Sequence, residues 1–382
     1  MSASEFSLLR GGPLFQISRS IGLAREGRPV AAKIALALMV IVLVPVVVAT
    51  ALSGTLLGGV EVPLIHDYLF GARFLIAMPL LVLAAPNADQ RIWRAVHHMR
   101  ALVLPADRDR FEHSLDRLRG WRDSVWPELV LFALVVASCF IALPLGLHDK
   151  VTDWRGDGQG MSAAAQWVAW VGSPIFRFLV GLWLWRMALW VALLFRFSRL
   201  DLALHGAHPD GRGGLSFLSN AQSGFAALIV VGGVLLAGSC IFELQHLGVT
   251  LKSLRFLMAG YIVLGVIVLL APLLLLTPRL LALKQSCLLA YGALGTDCAE
   301  EFEQKWLGRA RGGAAPILEA GDSSALCDLI GVYSTVSTMS VVPFRRDVVM
   351  LAVLAGALPL LPVLLVTMPI NELLKKLLSV LM

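Results

Sequence analysis

The chain has 382 residues, 58% of them hydrophobic and 15% charged, with a mean hydropathy of +0.78 and a formal net charge of +6. Soluble domains carry about 25% charged residues, so this composition excludes a string of water-soluble domains and points to a membrane-embedded chain. The basic excess is spread beside apolar runs rather than gathered in one patch, which sets nucleic-acid binding aside in favour of membrane topology and attraction to anionic lipid.

Residues 1–33 form a basic segment with Arg10, Arg19, Arg25, Arg28 and Lys33. An uncharged run covers 34–60, and a membrane helix needs only about 20 apolar residues. Ala49-Thr50-Ala51 has the form of a signal cleavage site, but the 33 residues before the run are long for a signal n-region, so a retained span is expected. A second span, 66–86, carries Arg73 and completes a hairpin over 34–86.

Residues 87–126 read as two cytoplasmic amphipathic helices broken at Pro105. Ile92, Val96, Met99 and Val103 repeat at helical spacing in the first, and Phe111, Leu115 and Leu118 in the second. With arginines on their other faces, such helices suit an anionic lipid surface.

Four spans are expected over 127–278: uncharged runs at 129–148, 213–242 and 256–278, and an arginine-bearing one at 174–195. A cytoplasmic loop, 197–220, divides them. Segment 279–346 is read as cytoplasmic and helical, packed under the membrane or against a second copy in a homo-oligomer. One of its helices is expected to begin at an N-cap on Thr296 and another to end before Pro343, with the loop "RGGAAP" between. Region 347–382 holds the last span and a tail, "PINELLKKLLSVLM", expected to lie as an interfacial helix.

The fold class is therefore all-α, a polytopic bundle of about seven transmembrane helices with cytoplasmic helical segments. Gly233 with Ala237, and Ala352 with Gly356, are small residues spaced for close helix contact. Pro79, Pro272, Pro359 and Pro362 should kink their spans. Basic residues alternate between loops so that the N-terminus is expected in the cytoplasm of a bacterial cell, the spans in its inner membrane and the C-terminus in the periplasm.

Charges inside spans carry the functional signal. Eighteen residues, about 27 Å of helix, separate Arg177 from Arg196, and both can snorkel. Arg186 lies at the midpoint of that stretch, where an arginine costs about 2.5–3.5 kcal/mol on insertion scales unless it faces protein or water. Trp183 and Trp190, at i−3 and i+4, share its face and could stack on the guanidinium. Arg73 lies six residues after Asp67, and Glu243, His66 and His246 are expected at the same outer level. Two readings stay open: an anion pathway lined by Arg73, Arg177 and Arg186 with Asp67 or Glu243 as counter-charge, or a set of satisfied struts and snorkelling arginines.

The loop "DLALHGAHPDGRGG", 201–214, is the other constellation. If the preceding helix continued, Asp201 and His205 would share a face, with His208 and Asp210 following. The spacing permits a weak metal reading on His205, His208 and Asp210, an anion nest at Arg212-Gly213-Gly214, or an ordinary turn around Pro209-Asp210-Gly211. The turn is favoured, no metal is expected and no cofactor is implied. The five cysteines form no CxxC pair. Neither G-x-S-x-G nor H-E-x-x-H occurs, so an enzyme is the less favoured class. The sequence thus points first to a channel or transporter for an anion or anionic solute. A membrane-embedded enzyme acting on a lipid-linked phosphate, or a non-catalytic scaffold or signalling protein, is the alternative.

Overall fold

A computed structural model describes residues 28–142, 152–156, 160–306 and 321–367. The basic residues before 28, the loop "RGGAAP" and the C-terminal tail lie outside them.

Nine helical stretches follow one another among the described residues. They are α1 (Arg28–Leu52), α2 (Tyr68–Leu102), α3 (Arg108–Asp123), α4 (Val125–Ala142), α5 (Ala163–Phe197), α6 (Phe217–His246), α7 (Leu251–Trp306), α8 (Gly321–Thr338) and α9 (Arg346–Val366). No strand occurs among the described residues; three isolated bridges only tie loops together. Six helices are long and apolar enough to cross a membrane, and α3 with α4, bent by 43° at residue 124, make a seventh candidate. The protein is an all-α polytopic chain.

Helix ends follow local chemistry. Asp67 caps α2 by accepting the Phe70 N–H at 2.9 Å, and Ser162 caps α5 by accepting from Ala165 at 3.1 Å. Pro105 opens the 3₁₀ turn that separates α2 from α3, as its missing N–H requires. Pro272 and Pro359 sit in 3₁₀ turns inside α7 and α9. Pro79 and Pro174 act differently. A helical proline ring collides with the carbonyl four residues back, and in both helices the turn before it widens to i→i−5. The Met78 N–H reaches Arg73 O across Ala72–Ala77, and the Ser173 N–H reaches Val168 O across Val168–Gly172.

These widened turns meet at the heart of the bundle. A Cβ on Gly172 would lie 3.0 Å from Val42 of α1 and 3.1 Å from the Phe74 ring, so only glycine permits the three helices to close there. On the other side of α2, Gly238 of α6 approaches the Leu69 Cα and the Tyr68 carbonyl just as closely. Helix α2 thus packs against α1, α5 and α6, and α6 packs on against α7 and α9. The expected small-residue contacts occur: Gly233 lies against Pro359, Gly356 lies against Ile262, and Ala352 is fully buried.

Three expectations change. Helix α2 runs unbroken from the membrane stretch to Leu102, and the stripe Ile92, Val96, Met99 and Val103 is buried. The opening turns of α6 pack against it, while Phe111, Leu115 and Leu118 of α3 are buried on the side packed by α5. Those apolar faces cover protein, because two neighbouring helices also project beyond the membrane stretch. Thr296 caps nothing: α7 is helical through it, and its hydroxyl donates to Gly292 O at 3.2 Å. The helix after it does end before Pro343, at Thr338. Asp201 and His205 do not share a helical face, because α5 stops at Phe197. The chain beyond runs extended against the end of α2, with the Leu104 N–H on Asp201 O at 3.1 Å and the Ala203 N–H on Leu102 O at 2.8 Å.

Candidate functional site

Arg186 does not stand alone at the centre of the membrane. Helix α3 runs antiparallel beside the last turns of α5: Phe111 meets Phe197 at 6.0 Å, and the Trp121 ring stacks on Trp185 at 6.4 Å and 8°. Trp121 and Trp126 are exposed, as tryptophans at a membrane–water boundary are. Arg186 follows Trp185 in α5. The carboxylates of Asp89 and Glu128 act on it electrostatically, as does the like charge of Arg122. Helix α5 has 35 residues, about 52 Å, against a hydrocarbon core of about 30 Å, so the midpoint between Arg177 and Arg196 does not by itself locate the middle of a membrane.

Trp183 and Trp190 are buried with their indole N–H groups committed elsewhere, to Leu81 O at 3.2 Å and to Gln222 Oε1 at 2.7 Å. The Trp183 ring meets Phe225 edge-on. Gln222 is itself fully buried, and its Nε2 has no hydrogen-bond partner among the described residues.

The deep cations are Arg73 and Arg177. Arg73 is the second residue of the widened turn of α2, next to the Phe74 that closes on Gly172 of α5. Its guanidinium carbon lies 5.9 Å from the Phe74 and Phe176 ring centroids. Its Nε is buried without a hydrogen-bond partner. The charges acting on it are Arg155 and Arg177, both alike, and one opposing carboxylate, Asp67. Arg177 finds only neutral side chains, Ser138 Oγ at 2.9 Å and Cys139 Sγ at 3.6 Å. The two guanidiniums outnumber the carboxylate that answers them.

That carboxylate is already engaged. Asp67 is buried and accepts from the Trp154 indole at 3.0 Å and from Arg155 Nη2 at 2.5 Å, besides the Phe70 N–H. The strap 152–156 is held over it, with the Trp154 N–H on Val62 O at 3.2 Å and the Val62 N–H on Thr152 O at 3.0 Å. Trp154 is fully buried, its ring edge-on to Phe70 at 5.5 Å. Beside this lies a cavity of about 120 Å³ lined by Asp67, Leu69, Arg155, Ser239, Phe242, Glu243 and Leu247. Of the residues expected together, Asp67 and Glu243 line this cavity, while Arg73 and Arg177 act on one another outside its lining. His66 is exposed, and His246 stacks on Phe242 at 4.9 Å. Arg155, Ser138, Asp89 and Glu128 are additions from the structure. The first lies in a loop and the others come from helices remote in sequence, so no spacing pointed to them.

At the opposite, basic end the 201–214 loop is a turn. Burial alone would raise the Asp210 carboxyl. The N–H groups of Arg212, Ser216 and Gly214, with the His208 ring, instead hold it below the ordinary value of 3.8. Those N–H groups stand 2.8, 3.0 and 3.0 Å away and His208 Nδ1 stands 2.9 Å away, which commits both carboxylate oxygens. Arg212 Nε donates to Phe344 O at 3.1 Å, which fastens the start of α9, and the backbone N–H groups of the expected nest at Arg212 and Gly214 are taken by the Asp210 carboxylate. His205 is exposed. Among the described residues no group of three or more His, Cys, Asp and Glu side chains could hold a metal ion. Asp107, at the elbow between α2 and α3, is likewise held below 3.8, by the Asp201 N–H first and then by Arg110.

The cysteines are free, Cys139 and Cys240 being buried. Comparison with protein-family models, with curated proteins and with solved structures finds no match.

Proposed function

We propose that this multi-pass membrane protein binds and passes an anion or an anionic solute, with Arg73 and Arg177 as its binding element. One observation carries the reading: the Arg73 guanidinium is deep in the bundle with a buried, unpartnered Nε, and its one opposing carboxylate is held by another arginine. A buried cation without a hydrogen-bonded counter-charge is costly, and an anion between α2, α4 and α5 would offset that cost. The widened turns of α2 and α5 support the reading, because such turns recur where helices are built for a ligand. In this view Arg186, answered by Asp89 and Glu128, anchors α5 at the tryptophan belt. The basic end faces the cytoplasm of an inner membrane, where its arginines meet anionic lipid.

The test is flux of a panel of inorganic and organic anions in proteoliposomes. Arg73→Gln and Arg177→Gln should each lower flux about tenfold or more, the worth of one charge-assisted contact. Arg186→Gln should lower stability while leaving anion selectivity unchanged. Unaltered flux and selectivity in both Arg73→Gln and Arg177→Gln would sink the proposal.

A further inference from the structure

The cavity at the Asp67 end has the opposite electrical character from the pair beneath it. Two carboxylates, Asp67 and Glu243, stand there against one guanidinium, Arg155. Asp67 answers Arg155 through the ion pair at 2.5 Å. Glu243 is answered by nothing: among the described residues, no hydrogen bond or ion pair reaches its carboxylate. It belongs to the last turn of α6 and lines a space that Ser239 and Phe242 also line. A water occupies about 30 Å³ of liquid, so the 120 Å³ cavity accommodates about four non-hydrogen atoms. A carboxylate, a hydroxyl and an aromatic side chain around a space of that size suit an ammonium group.

Adjoining it, outside its lining, are Arg73 and Arg177, two cations whose one opposing carboxylate, Asp67, is held by Arg155. Asp67 and Arg73 are separated by six residues, about 9 Å along the helix axis. A simple anion reaches the arginine pair but finds no use for Glu243, and a simple cation is repelled by the pair. A solute carrying both charges, ammonium outward and acidic group inward, meets an opposite charge at each level.

We infer that the solute is a small zwitterion whose ammonium and acidic groups are several bonds apart, the ammonium read by Glu243 and the acidic group by Arg73. This rests on the anion reading of the arginine pair and narrows it.

Binding to the purified full chain would be measured by calorimetry with 4-aminobutyrate, butyrate and butylammonium at equal ionic strength. 4-Aminobutyrate should bind about tenfold more tightly than either single-charge probe, the worth of one charge-assisted contact. Glu243→Gln should erase the preference over butyrate while butyrate itself still binds, and Glu243→Asp should retain much of the preference, which separates charge from folding. Arg73→Gln should weaken both acids. Equal affinity for butyrate and 4-aminobutyrate, unchanged in Glu243→Gln, overturns the zwitterion and leaves the anion reading standing. Binding of none of the three probes also overturns it, and the anion flux measurements then decide the broader reading separately.

Discussion

Asp67 holds three structures at once, so its removal is the sharpest test of the architecture around the arginines. Its carboxylate caps α2, takes the Trp154 indole and pairs with Arg155. A lost cap costs about 1 kcal/mol. Each lost hydrogen bond to a charged group costs about 1.5–3 kcal/mol. The lower end applies to the ion pair because the Arg155 side chain is 22% exposed. The two strap contacts together make Asp67→Ala weaken the strap by about 3 kcal/mol, and the lost cap destabilises α2 separately. The readout is hydrogen exchange at the Trp154 amide, which donates to Val62 O at 3.2 Å and is freed only when the strap lifts. Exchange there should accelerate about a hundredfold at tenfold per 1.4 kcal/mol, while amides in α6 change little. A cycle of Asp67→Asn and Arg155→Gln should give a coupling of about 1.5 kcal/mol or more for the pair alone. Coupling within about 0.3 kcal/mol of zero, or unchanged exchange in Asp67→Ala, would refute the claim that this carboxylate pins the strap.

Two further outcomes are expected. Trp190→Phe should cost about 1–3 kcal/mol, because the buried Gln222 then loses the partner of its Oε1 while its Nε2 already lacks one. Adding Gln222→Leu should recover much of that loss in apparent melting temperature. At the basic end, Asp210 and Asp107 have folded pKa values below 3.8, so their stabilisation is complete above that value and is lost as pH falls through the depressed folded values. Proteolysis of the 198–216 loop should therefore rise as pH falls below 3.8, and Asp210→Asn should raise it already at neutral pH. A flat wild-type profile down to pH 3, with Asp210→Asn indistinguishable from it, would contradict the assignment of Asp210 as the organiser of the turn.

Much of the fold was legible because membrane spans are written in composition. Runs without charge located α1, α4, α6 and α9, and Pro105 marked the elbow before α3. The arginines were visible for the same reason: Arg73 and Arg177 stand out in apolar surroundings. Depth was not legible. Helix α5 passes beyond the hydrocarbon by several turns, and charge spacing along one helix does not say where the bilayer begins. The neighbour of Arg186 in α5, Trp185, stacks on Trp121, sixty-four residues earlier, a contact that charge spacing does not reveal. The partners of Asp67 escaped for a related reason. Trp154 and Arg155 belong to a short strap whose sequence has no periodicity, and only the closed structure carries them to α2. The reading of Asp201 with His205 assumed that α5 continued. The end of α2 captured that segment instead, offering backbone groups that a helix would have left unpaired.

The widened turn ahead of Pro79 also sets the angular bookkeeping of α2. A turn closed by an i→i−5 bond holds about one residue more than an ordinary one, which advances everything beyond it by roughly 100° about the axis. Before that insertion Asp67 meets the strap and lines the cavity. Beyond it Arg91 donates to Ser223 Oγ and Asp89 acts on Arg186, so a second set of charges serves the start of α6 and α5. Deleting a single residue between Ala72 and Ala77 would swing the two sets against each other without altering any side chain in either.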